Sequence, residues 1–300
     1  MKPAAFDYHR VDRVEDAVAR LAELGEDAKV LAGGQSLVPM MNFRLVRPPA
    51  LVDITRIPDL RYIGRDGDAL RIGALTLHRE IETLTDLEIV RGYELLPRAA
   101  RWVGHYPIRT RGTFGGSVAH ADPSAEWCML AVLLDATIVV TGPAGEREVP
   151  AAEFFLGFFT TALDPGELLV EVRLPRPRPH AALQEFARRH GDFAIVAAAV
   201  AVDIDGDRIA GARIVVGGVD EVPLRIEGAE RVLEGAAPGG EAFAEAGRVA
   251  AAAVDPSADV HGSADYRREL TAVLVRRALA EAIHTDRERR RWPRVTAACP

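Results

Sequence analysis

Two cysteines in 300 residues, Cys128 and Cys299, are too few for a disulfide framework and for any iron–sulfur cluster held by four thiolates of this chain. Their wide separation forms no metal-ligand set either. No apolar run approaches the roughly 20 residues needed to cross a bilayer. The opening Met1-Lys2-Pro3-Ala4-Ala5-Phe6-Asp7 has no apolar stretch behind its lysine, which reads against a secretory signal. The expectation is a cytoplasmic protein without a transmembrane segment. A formal charge of −7 argues against a nucleic-acid-binding surface. The glycine-rich loops carry neither the GxGxxG of a Rossmann site nor the GxxxxGK-Ser/Thr of a nucleotide triphosphatase.

What is present is soluble, globular material: 48% hydrophobic and 27% charged residues, at a length that allows two domains. Val14, Val18 and Leu21 repeat at helical spacing after Asp12, with Glu15 three residues beyond that candidate cap. Lys29 to Ala32 reads as a strand running into Gly33-Gly34, and Leu51 to Ile54 as another, giving a first lobe over about residues 1–57. A second lobe, 58–176, opens with a hairpin of Arg61 to Ile63 and Leu70 to Ile72 about Arg65 to Asp68. Helices are expected after a Thr76 cap, over Leu95 to Val103 and over Ala125 to Leu134, and strands over Thr137 to Val140 and Leu168 to Leu174. Pro175, Pro177 and Pro179 mark a boundary, because alternate prolines resist both helix and central strand. Residues 177–285 read as an α+β domain, with a hairpin of Phe193 to Ile204 and Arg208 to Val219 and helices over Gly228 to Val254 and Ala264 to Ile283. Residues 286–300 form a basic tail.

Two loops carry the chemistry. In Ala32-Gly33-Gly34-Gln35-Ser36-Leu37, adjacent glycines permit a close ligand approach that a Cβ would obstruct. Successive amides there can form a nest for phosphate oxygen, and Ser36 adds a hydroxyl. A ligand-free tight turn explains these residues equally well. A second element shifts the balance: Thr113-Phe114-Gly115-Gly116-Ser117-Val118-Ala119-His120 continues through Ala121 and Asp122. Two such loops can share the diphosphate and ribityl portions of a large cofactor.

Four segments, in this order and at these separations, carry a resemblance to a known family. They are the Ala32 to Leu37 loop, Arg109 to Glu126, Arg189-His190-Gly191-Asp192-Phe193-Ala194 and Ser263-Ala264-Asp265-Tyr266-Arg267-Arg268. From Phe6 to about His284 the chain resembles the FAD-binding medium subunit of the molybdenum hydroxylases, especially aerobic carbon monoxide dehydrogenases. The resemblance implies an α+β fold: a two-lobed FAD-binding fold of the PCMH/vanillyl-alcohol-oxidase type, then the carbon monoxide dehydrogenase flavoprotein C-terminal domain. FAD would lie between the lobes, partly covered by the C-terminal domain. Backbones around Gly33, Gly34, Ser36, Thr113, Gly115 and Gly116 would hold the pyrophosphate, and Ser117 and Asp122 would contact the ribityl region. Gln35 stands where related flavoproteins can carry histidine, so attachment through a histidine there is impossible and FAD is expected to be non-covalent.

The same resemblance makes this chain an electron-transfer subunit. Substrate oxidation would belong to a molybdenum cofactor in a large subunit, and two [2Fe-2S] clusters in a small subunit would feed FAD here, in a dimer of three-subunit units. No metal site is expected in this chain, and no catalytic residue is assigned. Phe193 falls near a position where the family tends to carry an aromatic beside the flavin ring; a ring contact and core packing stand level. Asp192 can steady the Gly191 turn, and His120 can shape the site or serve structure alone. Cys128 reads as packing, and Tyr266, Arg267 and Arg268 as domain or subunit contacts. Two other readings stay open: an independently acting FAD oxidoreductase on the same scaffold, and a non-catalytic assembly protein.

Overall fold

The computed structural model describes the backbone of residues 2–291 and the side chains of residues 2–283. The first lobe comprises β1 (Asp7–Arg10), α1 (Val14–Leu24), β2 (Lys29–Leu31), α2 (Leu37–Asn42) and β3 (Ala50–Asp53). Its sheet is parallel, in the order β1-β3-β2. Every residue of the central β3 is buried, as befits a strand with neighbours on both edges and cover on its faces. Helical spacing turns Ala17, Val18 and Leu21 of α1 into the core they share with β3. The expected Asp12 cap is not used. Arg13 occupies the cap position, and Glu15 pairs with Arg13 in solvent.

In the second lobe β4 (Ile63–Asp66) and β5 (Ala69–Gly73) form the expected hairpin, turned by Gly67 at φ +59°. Six short helices follow: α3 (His78–Glu82), α4 (Leu87–Val90), α5 (Leu95–Ala99), α6 (Tyr106–Arg109), α7 (Phe114–His120) and α8 (Glu126–Leu133). Then come β6 (Thr137–Gly142), β7 (Gly145–Pro150), α9 (Ala151–Phe154), β8 (Phe155–Gly157), β9 (Thr160–Thr161) and β10 (Leu168–Leu174). The main sheet is antiparallel in the order β4-β5-β10-β6-β7, and β8 pairs with β9 alone. Thr76 does not cap α3, because its hydroxyl donates to the Tyr62 carbonyl at 2.8 Å. The Leu77 N–H instead donates to the Glu80 carboxylate at 2.8 Å.

The C-terminal part adds β11 (Ala181–Phe186), β12 (Val196–Asp205), β13 (Arg208–Gly217) and β14 (Leu224–Arg225), antiparallel and in chain order. Helices α10 (Glu227–Leu233), α11 (Gly240–Ala253) and α12 (Ala264–Arg291) complete it. Side chains alternate along β12: Ala197, Ala199 and Ala201 join the core around α8, whereas Val196, Ala198, Val200 and Val202 join the core under the three helices. This sheet is therefore the middle layer of a sandwich, and that explains α8. From Trp127 to Leu133 the helix is buried on every side, because the C-terminal sheet covers the face its own lobe leaves open.

The proline-rich connection is packed. Pro177 abuts Gly92, and the Arg178 N–H donates to the Gly92 carbonyl at 2.8 Å. The Arg178 guanidinium, only 3% exposed, bridges Asp135 at 3.2 Å and Asp203 at 2.8 Å. Helix α12 runs on to Arg291, into the segment read as a tail. Residues 292–300, Cys299 among them, lie outside the described residues. Among the described residues no helix is long and apolar enough to cross a membrane.

Candidate functional site

The first loop leaves β2 at Leu31 and turns through Ala32 to Ser36 into α2, with Gly34 in the left-handed region at φ +68°. The Gln35 side-chain amide donates to the Gly33 carbonyl at 2.9 Å and steadies the turn. The N–H groups of Gly33, Gly34, Gln35, Ser36 and Leu37 have no acceptor among the described residues; the first engaged amide is Val38, bonded to the Gly34 carbonyl at 3.1 Å. Five successive free donors around a left-handed residue make a nest suited to an anion. Gly33 also lies flat against the chain that leads into the second loop. An ideal Cβ there would stand 2.7 Å from Gly112 Cα and closer still to the Arg111 carbonyl oxygen.

The second glycine-rich element is a helix, α7, and this corrects the loop reading. Thr113 is its cap, its hydroxyl accepting the Gly116 N–H at 3.1 Å. The Phe114 N–H donates to the Thr76 carbonyl at 2.8 Å, Gly115 to Ala74 at 3.0 Å and Ser117 to Thr113 at 3.1 Å. These amides are thus engaged within the protein. The two glycines serve close approach: a Cβ on Gly115 would strike Ala74 at 2.6 Å, and one on Gly116 would meet Thr113 Oγ1 at 2.6 Å and Ala32 Cβ at 3.6 Å. Ala32, Gly33, Thr113 and Gly116 are therefore brought together, with the donors on the first loop.

Behind this junction lies a residue that sequence reasoning missed. His78 is buried; its Nδ1 accepts the Trp127 indole N–H at 3.0 Å, and its ring edge fills the space beside Gly112. Burial, reinforced by the Arg109 charge, pushes its pKa down to about 3, so the imidazole is neutral. Arg109 is tied to Glu82 at 2.9 Å and to the Gly104 carbonyl at 2.8 Å, a structural part. Cys128 is fully buried, and burial raises its thiol pKa well above the usual value, which leaves it inert.

Helix α7 runs away from the junction, and its seven residues span about 10 Å at 1.5 Å per residue. Past its end, Asp122, Asp192 and Phe193 line a cavity of about 1090 Å³ between the second lobe and the C-terminal domain. None of residues 32–37 lines it. The Asp122 carboxylate accepts the Ser124 N–H at 2.8 Å. Asp192 steadies its turn as expected, its N–H donating to the Arg189 carbonyl and its carboxylate accepting from Arg189 Nε, both at 3.1 Å. That turn is pressed onto the second lobe: a Cβ on Gly191 would strike His105 at 2.5 Å, and His190 meets Trp102 edge-on at 5.8 Å. Phe193 projects from it, 67% exposed, so core packing is not its role. His120 stands just outside the cavity, its ring 4.9 Å from that of Phe159, which lines it. Burial holds the His120 pKa below its ordinary value against the opposing pull of Asp122.

Arg267 closes the cavity's far side, donating to the carbonyls of Ile195 and Gly218 and pairing with Asp259 at 2.8 Å. It is a domain-packing residue, as the sequence suggested. Phe158 and Phe159, at the tip between β8 and β9, also line the cavity and were not singled out from the sequence.

Comparison with known proteins adds the following. The family described as FAD binding domain in molybdopterin dehydrogenase matches residues 4–177, and CO dehydrogenase flavoprotein C-terminal domain matches residues 181–282. The 6-hydroxypseudooxynicotine dehydrogenase complex subunit alpha of Paenarthrobacter nicotinovorans is 43% identical over 96% of this chain and 97% of its own. The carbon monoxide dehydrogenase medium chain of Hydrogenophaga pseudoflava is 38% identical over 94% of this chain and 98% of its own. Among solved structures, quinoline 2-oxidoreductase from Pseudomonas putida 86 superposes with a TM-score of 0.90 at 36% identity, covering 95% of this chain and 99% of that one.

Proposed function

The chain belongs to the FAD-binding medium-subunit family of the molybdenum hydroxylases, and from that premise we propose that it holds one FAD stretched along α7, phosphates at the first loop and ring at the cavity. The observation that carries this is the pairing of a nest of five free amides with a cavity about one seven-residue helix away. That spacing suits the ribityl arm of FAD, which separates the anionic diphosphate at the middle of the molecule from the isoalloxazine ring.

The residues fit the cofactor chemically. Free N–H groups of Gly33 to Leu37 attract the diphosphate, with the Ser36 hydroxyl beside them. Gly115 and Gly116 form a floor without side chains, Thr113 fixes its shape, and Ser117 offers a hydroxyl along the path. Asp122 faces the cavity as an acceptor for hydroxyl groups, the role that suits a carboxylate kept away from phosphate. Phe193 gives the ring end a flat apolar wall, and the Asp192 turn holds that wall in place. His120 supports it through the Phe159 ring. When bound, FAD supplies the ability to take electrons singly and release them in pairs.

In this reading the chain is the outlet of a molybdenum-containing dehydrogenase, working in the cytoplasm. A large molybdenum subunit oxidises the substrate, a small two-cluster subunit passes the electrons, and the assembly is a dimer of three-subunit units. The division at residues 176/177 separates cofactor domain from cover. The test is native expression with the neighbouring subunits, followed by mass analysis and flavin spectra. The expected result is stoichiometric copurification and flavin bleaching by the reducing substrate only when both partners are present. Multiple turnovers by the isolated chain with a small donor would establish an independent oxidoreductase instead.

A further inference from the structure

The turn at residues 188–193 serves two cavities. Arg188, Arg189, Gly191, Asp192 and Phe193 line the large one, whereas His190 lines a second, of about 310 Å³. The two cavities share no residue, and the second has no part in holding FAD. It too lies between the domains, with Leu95, Arg101 and Trp102 contributed by the second lobe and Leu183 and Gln184 by β11.

Its polar groups divide into engaged and free. Arg98 from the second lobe and Gln184 from the C-terminal domain both bond the Glu281 carboxylate of α12, which answers that charge. Arg101 is exposed and its guanidinium has no hydrogen-bond or ion-pair partner among the described residues. The Trp102 indole N–H and the His190 ring nitrogens also have no hydrogen-bond partner among them, and the two rings meet edge-on at 5.8 Å. A guanidinium presents a rigid fork of N–H donors that fits a carboxylate in two parallel bonds. Beside it the buried Leu95 and Leu183 and the Trp102 ring offer apolar contact. The volume stands at the bottom of the roughly 300–1,000 Å³ of small-molecule sites, which suits a single ring and excludes a dinucleotide. A bare inorganic anion would leave the apolar wall in water, and a neutral ring would leave Arg101 unpaired.

We propose that this smaller cavity is a second ligand site, which takes a small aromatic carboxylate with its acid group on Arg101 and its ring beside Trp102 and the two leucines. The ligand also touches His190, next to the Gly191 that is pressed onto His105 and within the turn that carries Phe193. Its binding therefore braces that turn against the second lobe and slows the loss of FAD. The bracing rests on the FAD reading above; the binding site does not.

The experiment uses the full chain, with FAD and stripped of it, and titrates it calorimetrically with benzoate, benzamide and inorganic phosphate at fixed ionic strength. Benzoate should bind equally to both preparations, because the two cavities have no residue in common. Benzamide and phosphate should each bind at least about tenfold more weakly. Arg101→Gln should weaken benzoate roughly 10- to 100-fold, the loss of a charge-assisted pair, and Arg101→Lys should recover part of it. Both variants should keep the parent Tm and FAD content, since the Arg101 side chain is exposed and unpartnered among the described residues. Saturating benzoate should slow FAD release about fivefold, the low end of coupling between two sites, and should have no such effect in Arg101→Gln. Equal affinity for benzoate and benzamide, an unchanged benzoate affinity in Arg101→Gln, or no binding at about 10 mM benzoate would overturn the site. FAD release indifferent to bound benzoate would overturn the bracing of the turn. A chain that takes up no FAD yet binds benzoate through Arg101 would sink the FAD reading and leave the site standing.

Discussion

Replacing Gly33 with alanine tests whether the two glycine elements act as one site. A Cβ at this position would lie 2.7 Å from Gly112 Cα and 2.9 Å from the Arg111 carbonyl carbon, where carbon atoms rest at about 3.5–4.0 Å. Both obstacles are backbone, so no side chain can swing aside and the two segments must part by roughly 1 Å. Overpacking of this kind costs about 1–3 kcal/mol. At the roughly 2–4 °C per kcal/mol of a domain of 150–250 residues, that lowers Tm by about 2–12 °C. The same displacement pulls the nest away from the Arg111–Gly112 turn. Loss of one charge-assisted hydrogen bond, about 1.5–3 kcal/mol, weakens FAD binding roughly 10- to 100-fold. Flavin fluorescence titration and thermal unfolding of the same preparation give both numbers. Gly206→Ala is the control: Gly206 turns the β12–β13 hairpin at φ +59° with nothing within 4 Å of an added Cβ. It should lose stability through strain and keep its FAD affinity. Gly33→Ala protein that binds FAD within about twofold of the parent and melts at the same temperature would refute the steric coupling.

Gly116→Val should remove the Thr113 cap, worth about 1 kcal/mol, and crowd Ala32, giving a folded protein with a low flavin-to-protein absorbance ratio. His78 is held neutral, with a folded pKa of about 3 below its unfolded 6.5, so its stabilising contribution is whole above pH 6.5 and erodes as pH falls towards 3, by about 1.4 kcal/mol per unit. His78→Gln, which can still accept from Trp127, should flatten the urea midpoint between about pH 6 and 4; an unaltered slope would clear His78. Glu185 has the opposite sign: burial, with Glu126 adding repulsion, raises its pKa well above the usual value, and one carboxylate oxygen is buried without a partner. Its stability contribution is present below the unfolded carboxyl pKa and is lost as pH rises, so Glu185→Gln should be more stable than the parent at about pH 8.5 and equal to it at about pH 4. Arg178→Met should cost about 3 kcal/mol, the low end for a broken buried pair, because Arg213 stays 2.7 Å from Asp135 and Arg176 stays 3.4 Å from Asp203. A denaturant midpoint within error of the parent would show the linker clamp to be idle.

Much of the fold was legible because its elements carry strong local signals. The β12–β13 hairpin announces itself by two apolar runs about Asp205-Gly206-Asp207, and α8 by an unbroken apolar stretch. β1 was not legible, since Asp7-Tyr8-His9-Arg10 has no apolar alternation and is largely exposed; its place is set by parallel pairing with β3, more than 40 residues away. The helical nature of the second glycine element was hidden for a related reason. Glycine pairs look like loops, and only the Thr76 and Ala74 carbonyls, distant in sequence, occupy the amides of Phe114 and Gly115. His78 gave no signal because an isolated histidine in a polar stretch looks like surface. Phe158 and Phe159 gave no signal either, because only their position on a two-strand tip, between Gly157 and Thr160, exposes them.

The way the C-terminal sheet is used explains why the proposed ring end of the site is built from two domains. β12 turns Ala197, Ala199 and Ala201 towards α8 and Val196, Ala198, Val200 and Val202 towards α10 to α12. Alanine on the inner face lets the sheet approach a helix already dense with Trp127, Met129 and Leu130, and a larger residue at Ala197 or Ala199 would hold the domains apart. The approach is tight at the cavity edge, where an added Cβ on Gly217 would collide with the Met129 side chain and come within 3.0 Å of the Pro123 carbonyl. Pro123 follows Asp122, and the Gly218 N–H donates to that same carbonyl at 3.2 Å, so the strand end and the Asp122 turn move as one piece. The position of Asp122, on the cofactor domain, is thus fixed by the small residues of a strand nearly 100 positions away. A chain cut at the proline boundary would keep the phosphate nest and lose both Phe193 and the brace behind Asp122.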